Sequence, residues 1–242
     1  MPDAKVALVI GAGDATGGAI ARRFAREGYT LCVTRRHVDK LIPLVRQIEA
    51  AGGSARAFGS DARKEEAMAG LVGEIERDIG PIEVAVHNIG ANVRFGIRET
   101  TARVYFKVWE MAAFSGFLMG REAARVMVPR GRGTILFTGA SASLRGRDGF
   151  AAFSGAKHAL RALAQSMARE LGPQGIHVAH IVIDGAIDTE FIRTVAPDRY
   201  AMKHEDGILN PEHIAENYWH LHVQPRDAWT HELDLRPWLE QW

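Results

Sequence analysis

The stretch KVALVIGAGDATGGAIARRFAREG, from Lys5 to Gly28, runs from an apolar segment through a glycine-rich turn into a helical pattern. Residues up to Ile10 are almost all aliphatic, and Ile20 and Phe24 then recur at helical spacing. Glycines between a strand and a helix let the backbone approach a pyrophosphate, which then lies at the positive end of the helix dipole. The pattern therefore predicts a strand, a phosphate-binding loop and a helix. Alternatively, these glycines only form a tight turn and bind no phosphate.

The same alternation of apolar runs and helical patterns continues along the chain. Most runs are continuously apolar, which is typical of strands covered on both faces. Alternating strands and helices predict a parallel sheet with right-handed crossovers, so we expect an α/β, doubly wound fold with helices on both faces. A last, shorter strand is expected near Glu232–Leu235. The other predicted strands are Lys5–Ile10, Tyr29–Val33, Ser54–Phe58, Ile82–Val86, Gly133–Thr138 and Ile176–Ile183.

The charge balance of the chain limits its expected partners. The 242 residues carry 30 basic and 29 acidic side chains. No excess charge would attract nucleic acid or an anionic membrane surface, so we expect a small-molecule substrate and copies of the chain itself as partners. No linker-like or low-complexity tract interrupts the sequence, which predicts one domain over residues 1–242.

The single cysteine, Cys32, lies inside the apolar run YTLCV. It cannot form an intramolecular disulfide, and we expect a buried thiol in a reducing, cytoplasmic compartment. The first residues reach glycine after only a short apolar run. We therefore expect neither a signal peptide nor a membrane span there.

The glycine-rich loop resembles that of the short-chain dehydrogenase/reductase family, which reads Thr-Gly, three residues, Gly, one residue, Gly. Gly11 and Gly17 match the first and third glycines, while Ile10 and Ala15 stand at the threonine and the middle glycine. Alanine is tolerable at the middle position if its φ is negative and strained if φ is positive. The resemblance covers nearly the whole chain and implies a single-domain, Rossmann-like, dinucleotide-binding fold.

The loops after later strands carry further matches to this family. Asp61 stands where the family places an aspartate on the adenine amine, and Asn88 and Gly90 in HNIG match the motif Asn-Asn-Ala-Gly. We interpret His87, which departs from that motif, as a packed or hydrogen-bonded loop residue. The cofactor contacts that the resemblance implies are Gly11, Asp14, Ala15, Thr16, Gly17, Thr34, Arg35, Arg36, Asp61, Ala62, Asn88, Gly90, Lys157, Gly185, Ile187 and Thr189.

The loop after the sixth run reads VIDGAIDTEF. It keeps the family's glycine, Gly185, and its threonine, Thr189, whose backbone or hydroxyl meets the nicotinamide carboxamide in that family. Asp184 replaces the family's proline. Its carboxylate would stabilise the oxidised, positively charged nicotinamide if it lay beside the ring. Alternatively, Asp184 caps a turn.

The end of the second run distinguishes between dinucleotides. An NAD enzyme usually has an acid there that binds the ribose hydroxyls, whereas a 2′-phosphate calls for arginine. Here Thr34 takes the place of the acid, and Arg35 and Arg36 follow. This favours NADP(H), with NAD(H) as the alternative if both arginines are only solvated surface cations. Asp14 argues mildly for NAD(H), because its charge would repel a phosphate.

Hydride transfer in the family uses an asparagine, a serine, a tyrosine and a lysine. The tyrosine is the acid/base, and the lysine four residues later holds the nicotinamide ribose and lowers the phenol pKa. Lys157 retains the lysine, but Phe153 takes the tyrosine position, Ala112 the asparagine position, and Ala140, followed by Ser141, the serine position. Phenylalanine has no ionisable hydrogen, so ordinary ketone reduction is expected to be weakened by about 10²- to 10⁴-fold.

The combination of Ala15, Phe153 and Lys157 resembles an atypical subgroup of the family, with an incomplete glycine motif and phenylalanine in place of the catalytic tyrosine. We therefore expect an oxidoreductase with altered acid/base machinery that acts on a small carbonyl, alcohol or activated double bond. The hypothesis for the replacement acid is Tyr200, His204, Lys157 or a bound water. A non-catalytic dinucleotide-binding protein, used for sensing or assembly, is the competing interpretation.

Two further expectations concern the last part of the chain and its assembly. Residues 188–210 correspond to the region that covers the substrate in this family. In the tail, residues 224–242, Trp238 and Trp242 are expected to dock on the body of the protein or on a neighbouring subunit. Family members usually form dimers or tetramers through two long helices, here near Met111–Met127 and Ala151–Leu171, so we expect a homodimer or homotetramer.

Overall fold

The structure is a computed structural model that describes residues 5–241, so residues 1–4 and 242, including the predicted docking residue Trp242, lie outside it. The strands are β1 (Val6–Ile10), β2 (Thr30–Arg35), β3 (Ser54–Gly59), β4 (Ile82–His87), β5 (Gly133–Thr138), β6 (Ile176–Ile183) and β7 (Glu232–Leu235). They form a seven-stranded sheet in the order β3-β2-β1-β4-β5-β6-β7, and every neighbouring pair is parallel. The predicted parallel sheet is confirmed, including its short last strand.

Helices connect the strands and cover both faces of the sheet. A five-residue π-helical turn, Glu110–Phe114, interrupts the long helical segment that the sequence predicted around Met111–Met127. The α-helices are α1 (Thr16–Arg26), α2 (Ile42–Ala50), α3 (Glu65–Asp78), α4 (Ala102–Trp109), α5 (Ser115–Met127), α6 (Ala151–Leu171), α7 (Glu190–Val195), α8 (Pro197–Ala201) and α9 (Pro211–His222).

Two apolar cores lie on the two faces of the sheet. One joins the sheet to α1, α2 and α9 and includes the fully buried Phe24 and Ile214. The other joins it to α3, α5 and α6 and includes Met68 and Leu160. Burying a side chain of this kind contributes about 1.5–3 kcal/mol, so the two cores hold both helical layers against the sheet. The doubly wound α/β architecture is therefore as predicted.

Three strands extend beyond their predicted carboxyl ends, with β3 longer by Gly59 alone. β2 continues to Arg35, because Thr34 pairs with Phe58 and Arg35 pairs with Gly59 of β3. The parallel ladder therefore includes polar residues that the apolar pattern assigned to a loop. β4 likewise includes His87, at its last position. Strand order reverses at β1, between β2 on one side and β4 on the other, and in open α/β sheets ligands bind at the carboxyl edge beside such a point.

The single cysteine has the expected surroundings. Cys32 is fully buried within β2, and burial raises the pKa of its thiol to about 12. A thiol with such a pKa is almost entirely protonated near neutral pH and is therefore a weak nucleophile.

No helix within residues 5–241 has the length and apolar character needed to cross a bilayer.

The segment from residue 188 to residue 210 folds as α7, α8 and a 3₁₀ turn, Met202–Glu205. A bridge between Ile187 and Leu209 joins its two ends. The expected apolar docking of Trp238 on the body of the chain is wrong, since this side chain is 76% exposed. Its indole N–H instead donates a hydrogen bond to the carbonyl oxygen of Glu205, 2.9 Å away, so a polar contact ties the tail to this segment.

Candidate active site

A groove opens at the carboxyl edge of the sheet, beside β1, β2, β3 and β4. Its volume is about 340 Å³, and residues from the loops after these four strands border it. The fold thus brings together side chains that are far apart in the sequence. The lining residues that the sequence singled out are Gly11, Thr34, Arg35, Arg36, Asp61, Ala62, Asn88 and Gly90.

The remaining predicted cofactor contacts lie outside this lining. Asp14 borders an adjoining cavity, and Ala15, Thr16 and Gly17 form the start of α1. Lys157, Gly185, Ile187 and Thr189 are absent from the groove wall. The groove therefore contains predicted contacts from the loops after the first four strands, while those from α6 and the loop after β6 stand apart from it.

The glycine loop is packed closely enough to require glycine at two positions. Gly11 has a φ of 85°, and a Cβ there would lie 2.6 Å from the carbonyl oxygen of Asn88. A Cβ at Gly17 would collide with the carbonyl oxygen of Gly11 and lie 2.8 Å from the side-chain nitrogen of Asn88. That nitrogen donates a hydrogen bond to the Gly11 oxygen, at 3.1 Å. Asn88 thus fixes the loop from the neighbouring strand.

Ala15, at the family's middle glycine, has a φ of −103° and precedes the first residue of α1. Its φ is negative, so alanine is not forced into the left-handed conformation that favours glycine. Ala15 offers no side-chain cap to α1, and among residues 5–241 no side chain accepts from the first N–H groups of this helix. The narrow loop, the uncapped helix and the groove together fit the pyrophosphate of a dinucleotide.

Four cationic side chains border the end of β2. Arg35, Arg36 and Lys40 line the groove beside the buried Thr34, and His37 lies between them. Arg35 is 3.3 Å from the carboxylate of the exposed Asp14, so the acid that the sequence set against a phosphate is paired with a cation. Sequence reasoning missed Lys40, although its place four residues after Arg36 on a short 3₁₀ turn was a usable signal. Arg63, the fourth cation, approaches from the loop after β3.

Asp61 and Arg63 form a local ion pair in the wall of the groove. The guanidinium donates to both carboxylate oxygens, at 2.9 and 2.6 Å, and the Arg63 backbone N–H adds a contact at 3.2 Å. These hydrogen bonds hold the pKa of Asp61 down at about 2. Both oxygens already accept from Arg63, so an adenine amine at the expected position would have to share one of them.

Lys157 is almost completely buried in α6. Its Nζ donates to the carbonyl oxygen of Thr138, at 2.8 Å, and to that of Ile89, at 3.2 Å. Burial lowers the pKa of this ammonium to about 8. An ammonium has three donors, so these two bonds leave one unused. Lys157 therefore joins the end of β5 to the loop after β4 and keeps a donor for another acceptor.

His87 is fully buried at the end of β4, which confirms the expectation of a hydrogen-bonded residue. The Ser115 hydroxyl donates to the carbonyl oxygen of Met111, at 2.6 Å, and lies 2.7 Å from Nε2 of His87. With the hydroxyl proton engaged, Nε2 of His87 is the donor to Ser115. Burial, with a smaller contribution from the charge of Lys157, lowers the pKa of His87 to about 3.

Replacing His87 with asparagine is expected to make stability less sensitive to acid. The folded-state pKa, about 3, lies below the ordinary value of 6.5, so the unfolded chain binds the extra proton between these pH values. The contribution of neutral His87 is therefore complete above pH 6.5 and is lost as the pH falls toward 3. By linkage, this amounts to about 2 kcal/mol between pH 7 and pH 5.

Urea unfolding of His87→Asn and of the natural sequence at pH 7 and pH 5 measures this difference. Comparing the pH-dependent change within each protein cancels the cost of the substitution itself. His204→Asn is the control, because it removes an exposed imidazole. An equal loss of stability in all three proteins would show that His87 does not carry the acid sensitivity.

Phe153 and Ala112, at the family's tyrosine and asparagine positions, pack together in a third apolar cluster. This cluster lies where α4, α6 and the π-helical turn meet and includes Val108 and Ala156. Ala112 is fully buried within that turn, a type of irregularity that often occurs at functional sites. The positions that carry polar groups in the family are thus occupied here by well-packed apolar groups.

A second cavity, of about 140 Å³, lies beside Phe153. Ser141 borders it, while Ser143 is fully buried and its oxygen accepts a hydrogen bond from the N–H of Ala140, at 3.1 Å. Of the serines near the altered position, Ser141 therefore faces the cavity. The complete lining is Asn92, Ser141, Ala142, Arg145, Arg147, Phe150, Phe153 and Ser154.

The expected turn-capping role of Asp184 is wrong, while its expected effect on a nicotinamide stays a prediction. Its carboxylate is 1% exposed and accepts from two nitrogens of Arg145, at 2.8 and 3.0 Å, with Arg236 3.8 Å away. It therefore caps no turn, and the adjacent guanidinium groups neutralise the charge that a nicotinamide cation would need. The Asp184 N–H donates to the carbonyl oxygen of Leu235, a bond that the family's proline could not make.

Two of the proposed replacement acids lie away from the reaction site. Neither Tyr200 nor His204 borders the cavity beside Phe153. His204 is exposed and lies 3.4 Å from the carboxylate of Glu205. The hydroxyl of Thr189 accepts a hydrogen bond from the N–H of Ile192 and so caps α7. In this structure, Tyr200 and His204 do not meet the reaction site that the resemblance implies.

A third, largely apolar cavity adjoins the other two. It shares Gly90 and Met111 with the groove and Asn92 with the cavity beside Phe153. The three cavities therefore lie next to one another between the end of β2 and Phe153.

Known proteins share this sequence pattern and fold. A family model described as short chain dehydrogenase matches residues 5–199. Versicolorin reductase 1 of Aspergillus parasiticus is 34% identical over a segment that covers 80% of this chain and 74% of that protein.

Solved structures give the same result. A short-chain dehydrogenase from Rhodopseudomonas palustris is 47% identical, with a TM-score of 0.83 over 98% of this chain and 100% of that one. An alcohol dehydrogenase from the archaeon Thermococcus sibiricus, solved as a complex with 5-hydroxy-NADP, is 26% identical, with a TM-score of 0.86 over 98% of each chain. The family match spans most of the chain, its fold agrees throughout, and this chain belongs to the short-chain dehydrogenase family.

Proposed function

We propose that this chain is an NADP(H)-binding oxidoreductase with altered acid/base machinery, acting on a small carbonyl, alcohol or activated double bond. Membership of the short-chain dehydrogenase family supports a nicotinamide dinucleotide as cofactor. The related Thermococcus sibiricus enzyme, which was solved with 5-hydroxy-NADP, supports the phosphorylated form. We also propose that the chain works as a single domain in a reducing, cytoplasmic compartment, in keeping with its single buried thiol.

The observation that carries the choice of NADP(H) is the cationic end of β2. Arg36 and Lys40 border the groove and form no salt bridge among residues 5–241, although the charge of Arg36 helps to lower the pKa of Asp61. Thr34 stands where an NAD enzyme has its acid. A 2′-phosphate carries close to two negative charges and forms charge-assisted hydrogen bonds with such groups. The ribose hydroxyls of NAD(H) would find no carboxylate at Thr34.

The bound dinucleotide would supply or accept a hydride. The unused donor of Lys157 would hold the nicotinamide ribose, and the Ser141 hydroxyl would donate to a substrate oxygen beside Phe153. Phe153 cannot supply a proton, and the proton would then come from solvent. Reduction of a polarised double bond suits this arrangement, because water can protonate the resulting carbanion or enolate without a tyrosine.

Fluorescence titration of the purified protein with NADPH, and with NADH as comparison, tests this proposal. We expect saturable binding of NADPH, at least tenfold tighter than that of NADH. This ratio corresponds to one charge-assisted contact with the 2′-phosphate. Failure of both dinucleotides to bind would exclude the oxidoreductase and leave a protein without a cofactor. Equal binding would retain the family function and remove the preference for NADP(H).

The second candidate function is a non-catalytic dinucleotide-binding protein that senses redox state or supports assembly. The observation in its favour is the close packing of Phe153 and Ala112 in one apolar cluster. Apolar packing at two catalytic positions is expected in a protein that is selected for stability and no longer for catalysis. This candidate shares the cofactor groove and differs only in the absence of turnover.

Phe153→Tyr separates the two candidates. In the oxidoreductase, the new phenol stands four residues before Lys157 on the same face of α6, so reduction of small ketones and aldehydes by NADPH should rise by about 10²-fold. That value is the lower end for an acid/base, because Ala112 and Ala140 are still unable to donate. The measurement is NADPH oxidation with a panel of such carbonyl compounds.

Phe150→Tyr is the matched control, because Phe150 borders the same cavity without standing four residues before Lys157. It should leave the rate unchanged. A Phe153→Tyr protein that folds, binds NADPH and still reduces none of the compounds would favour the non-catalytic candidate.

We propose a homodimer or homotetramer as the working assembly. A row of stacked rings, Phe106, Trp109, Phe114 and Phe117, follows α4, the π-helical turn and α5, with centroids 5.7 to 6.1 Å apart. Phe106 is 58% exposed at one end of the row. A second copy that covered this face would bury apolar surface that is otherwise in water.

A further inference from the structure

Cations, and no carboxylates, line the cavity beside Phe153. Arg145 and Arg147 border it, together with the neutral polar side chains of Asn92, Ser141 and Ser154. The chain as a whole carries 30 basic and 29 acidic side chains. The ionisable residues of this lining are nevertheless all cationic, so positive charge is locally in excess here. A cavity lined in this way favours an anionic ligand.

The two arginines differ in how far their charge is already satisfied. Two nitrogens of Arg145 donate to Asp184, whereas its Nε is buried and lacks a hydrogen-bond partner within residues 5–241. The side chain of Arg147 is exposed and forms no hydrogen bond or ion pair in that part of the chain. The nearby Asp148 is 99% exposed and lies 3.8 Å from Arg94. Arg147 is therefore an unused planar donor at the mouth of the cavity.

The ionisable residues that line the adjoining apolar cavity are also cationic. It shares Asn92 with the cavity beside Phe153, and Arg103 and Lys107 are its ionisable lining residues. Both are exposed on α4. Cations from two parts of the chain thus border these neighbouring cavities. Their long-range attraction raises the local concentration of an anion.

Because the family's catalytic positions are apolar here, a substrate must be oriented by other groups, and these arginines can orient it. With Phe153, Ala112 and Ala140 unable to donate side-chain hydrogen bonds, a substrate cannot be oriented through its reacting oxygen by these three groups. A charged group elsewhere on the substrate could be held instead, and a fixed anchor keeps the reacting carbon in place. The planar fork of arginine matches the geometry of a carboxylate.

We propose that this chain binds a small substrate bearing a carboxylate, which Arg147 holds in the cavity beside Phe153. The proposal rests on the proposed function for its chemistry, since the carboxylate anchors the molecule whose neighbouring carbon exchanges the hydride. It names a binding residue, Arg147, outside the positions that the family resemblance assigned.

Benzoate, with benzamide as its neutral match, is the probe for this site, measured by isothermal titration calorimetry with and without saturating NADPH. We expect benzoate to bind at least tenfold more tightly than benzamide, and Arg147→Gln to abolish that difference. Arg169→Gln is the matched control. It removes an exposed arginine from the other end of α6, about 24 Å from Phe153 along the helix axis, and should leave benzoate affinity unchanged.

Three results would overturn the proposal: equal affinity for benzoate and benzamide, unchanged benzoate affinity in Arg147→Gln, or no benzoate binding with or without NADPH. Tighter binding of phenyl phosphate than of benzoate would replace the carboxylate with a phosphate and also contradict it. The NADPH titration is separate, so loss of dinucleotide binding would exclude the proposed function, while benzoate binding to the free protein still decides the carboxylate site. Arg147 has no partner to lose, and circular dichroism of Arg147→Gln should match the natural sequence.

Discussion

Replacing Asp184 with alanine is expected to lower the free energy of unfolding by about 2–4 kcal/mol. The carboxylate is 1% exposed, and the Arg145 guanidinium binds both of its oxygens. Removing one member of a buried pair leaves the other charge without compensation, which usually costs about 3–5 kcal/mol. The Arg145 side chain is 26% exposed and can be partly rehydrated, so we place the loss about 1 kcal/mol below that range.

Equilibrium urea unfolding at pH 7 measures the effect. Asp148→Ala, an exposed carboxylate on the loop that precedes α6, is the control and should stay within about 0.5 kcal/mol of the natural sequence. Asp184→Pro, which restores the family's residue, should be the least stable variant, because it also removes the N–H that donates to Leu235. An Asp184→Ala protein as stable as the control would mean that the Arg145–Asp184 pair adds no net stability.

The fold could be predicted from the sequence because its signals are local. Continuously apolar runs identify strands that are covered on both faces, and helical spacing identifies the segments between them. The carboxyl ends of β2 and β4 were predicted too short for a physical reason. Thr34, Arg35 and His87 are polar, and only pairing with a neighbouring strand, which the pattern does not contain, keeps them in the sheet.

The glycine loop was predictable because its residues share one strand–loop–helix unit. Gly11, Ala15 and Gly17 could therefore be matched to a local motif of the family that the sequence resembles. Lys157 and Asp184 do not, since their partners come from distant parts of the chain. The Lys157 ammonium meets the carbonyl groups of Ile89 and Thr138, which are 68 and 19 residues away.

Asp184 was misread because an aspartate after a strand is usual in turns. Its partner, Arg145, is 39 residues away and follows the altered serine position. Arg147, in the same stretch, has no local motif that would mark it. Such residues become visible only when the loops after β5 and β6 are placed side by side, and they include the cations on which the substrate proposal depends.

Removing Arg36 and Lys40 together is expected to weaken NADPH binding by about 10²-fold and to leave NADH binding within about threefold. Both side chains border the groove at the end of β2, where the 2′-phosphate would lie. A hydrogen bond to a charged group contributes about 1.5–3 kcal/mol, so two contacts at the low end multiply to roughly this factor. NADH lacks the 2′-phosphate, so removing Arg36 and Lys40 removes no specific contact with it.

Titration of Arg36→Ala, Lys40→Ala and the double variant with both dinucleotides, at low and at physiological salt, tests this cationic site. Arg46→Ala is the matched control, because Arg46 is an exposed cation on α2 outside the groove lining. Contact with the phosphate predicts a loss confined to NADPH and largely kept at physiological salt. If these cations act only through long-range attraction, Arg46→Ala should weaken NADPH binding as well. Salt should then suppress the loss of affinity, because exposed charges more than about 10 Å apart are screened at 0.1 M ionic strength. Equal weakening of NADH and NADPH would place Arg36 and Lys40 on the part of the dinucleotide that both molecules share, and the preference for NADP(H) would then need another source.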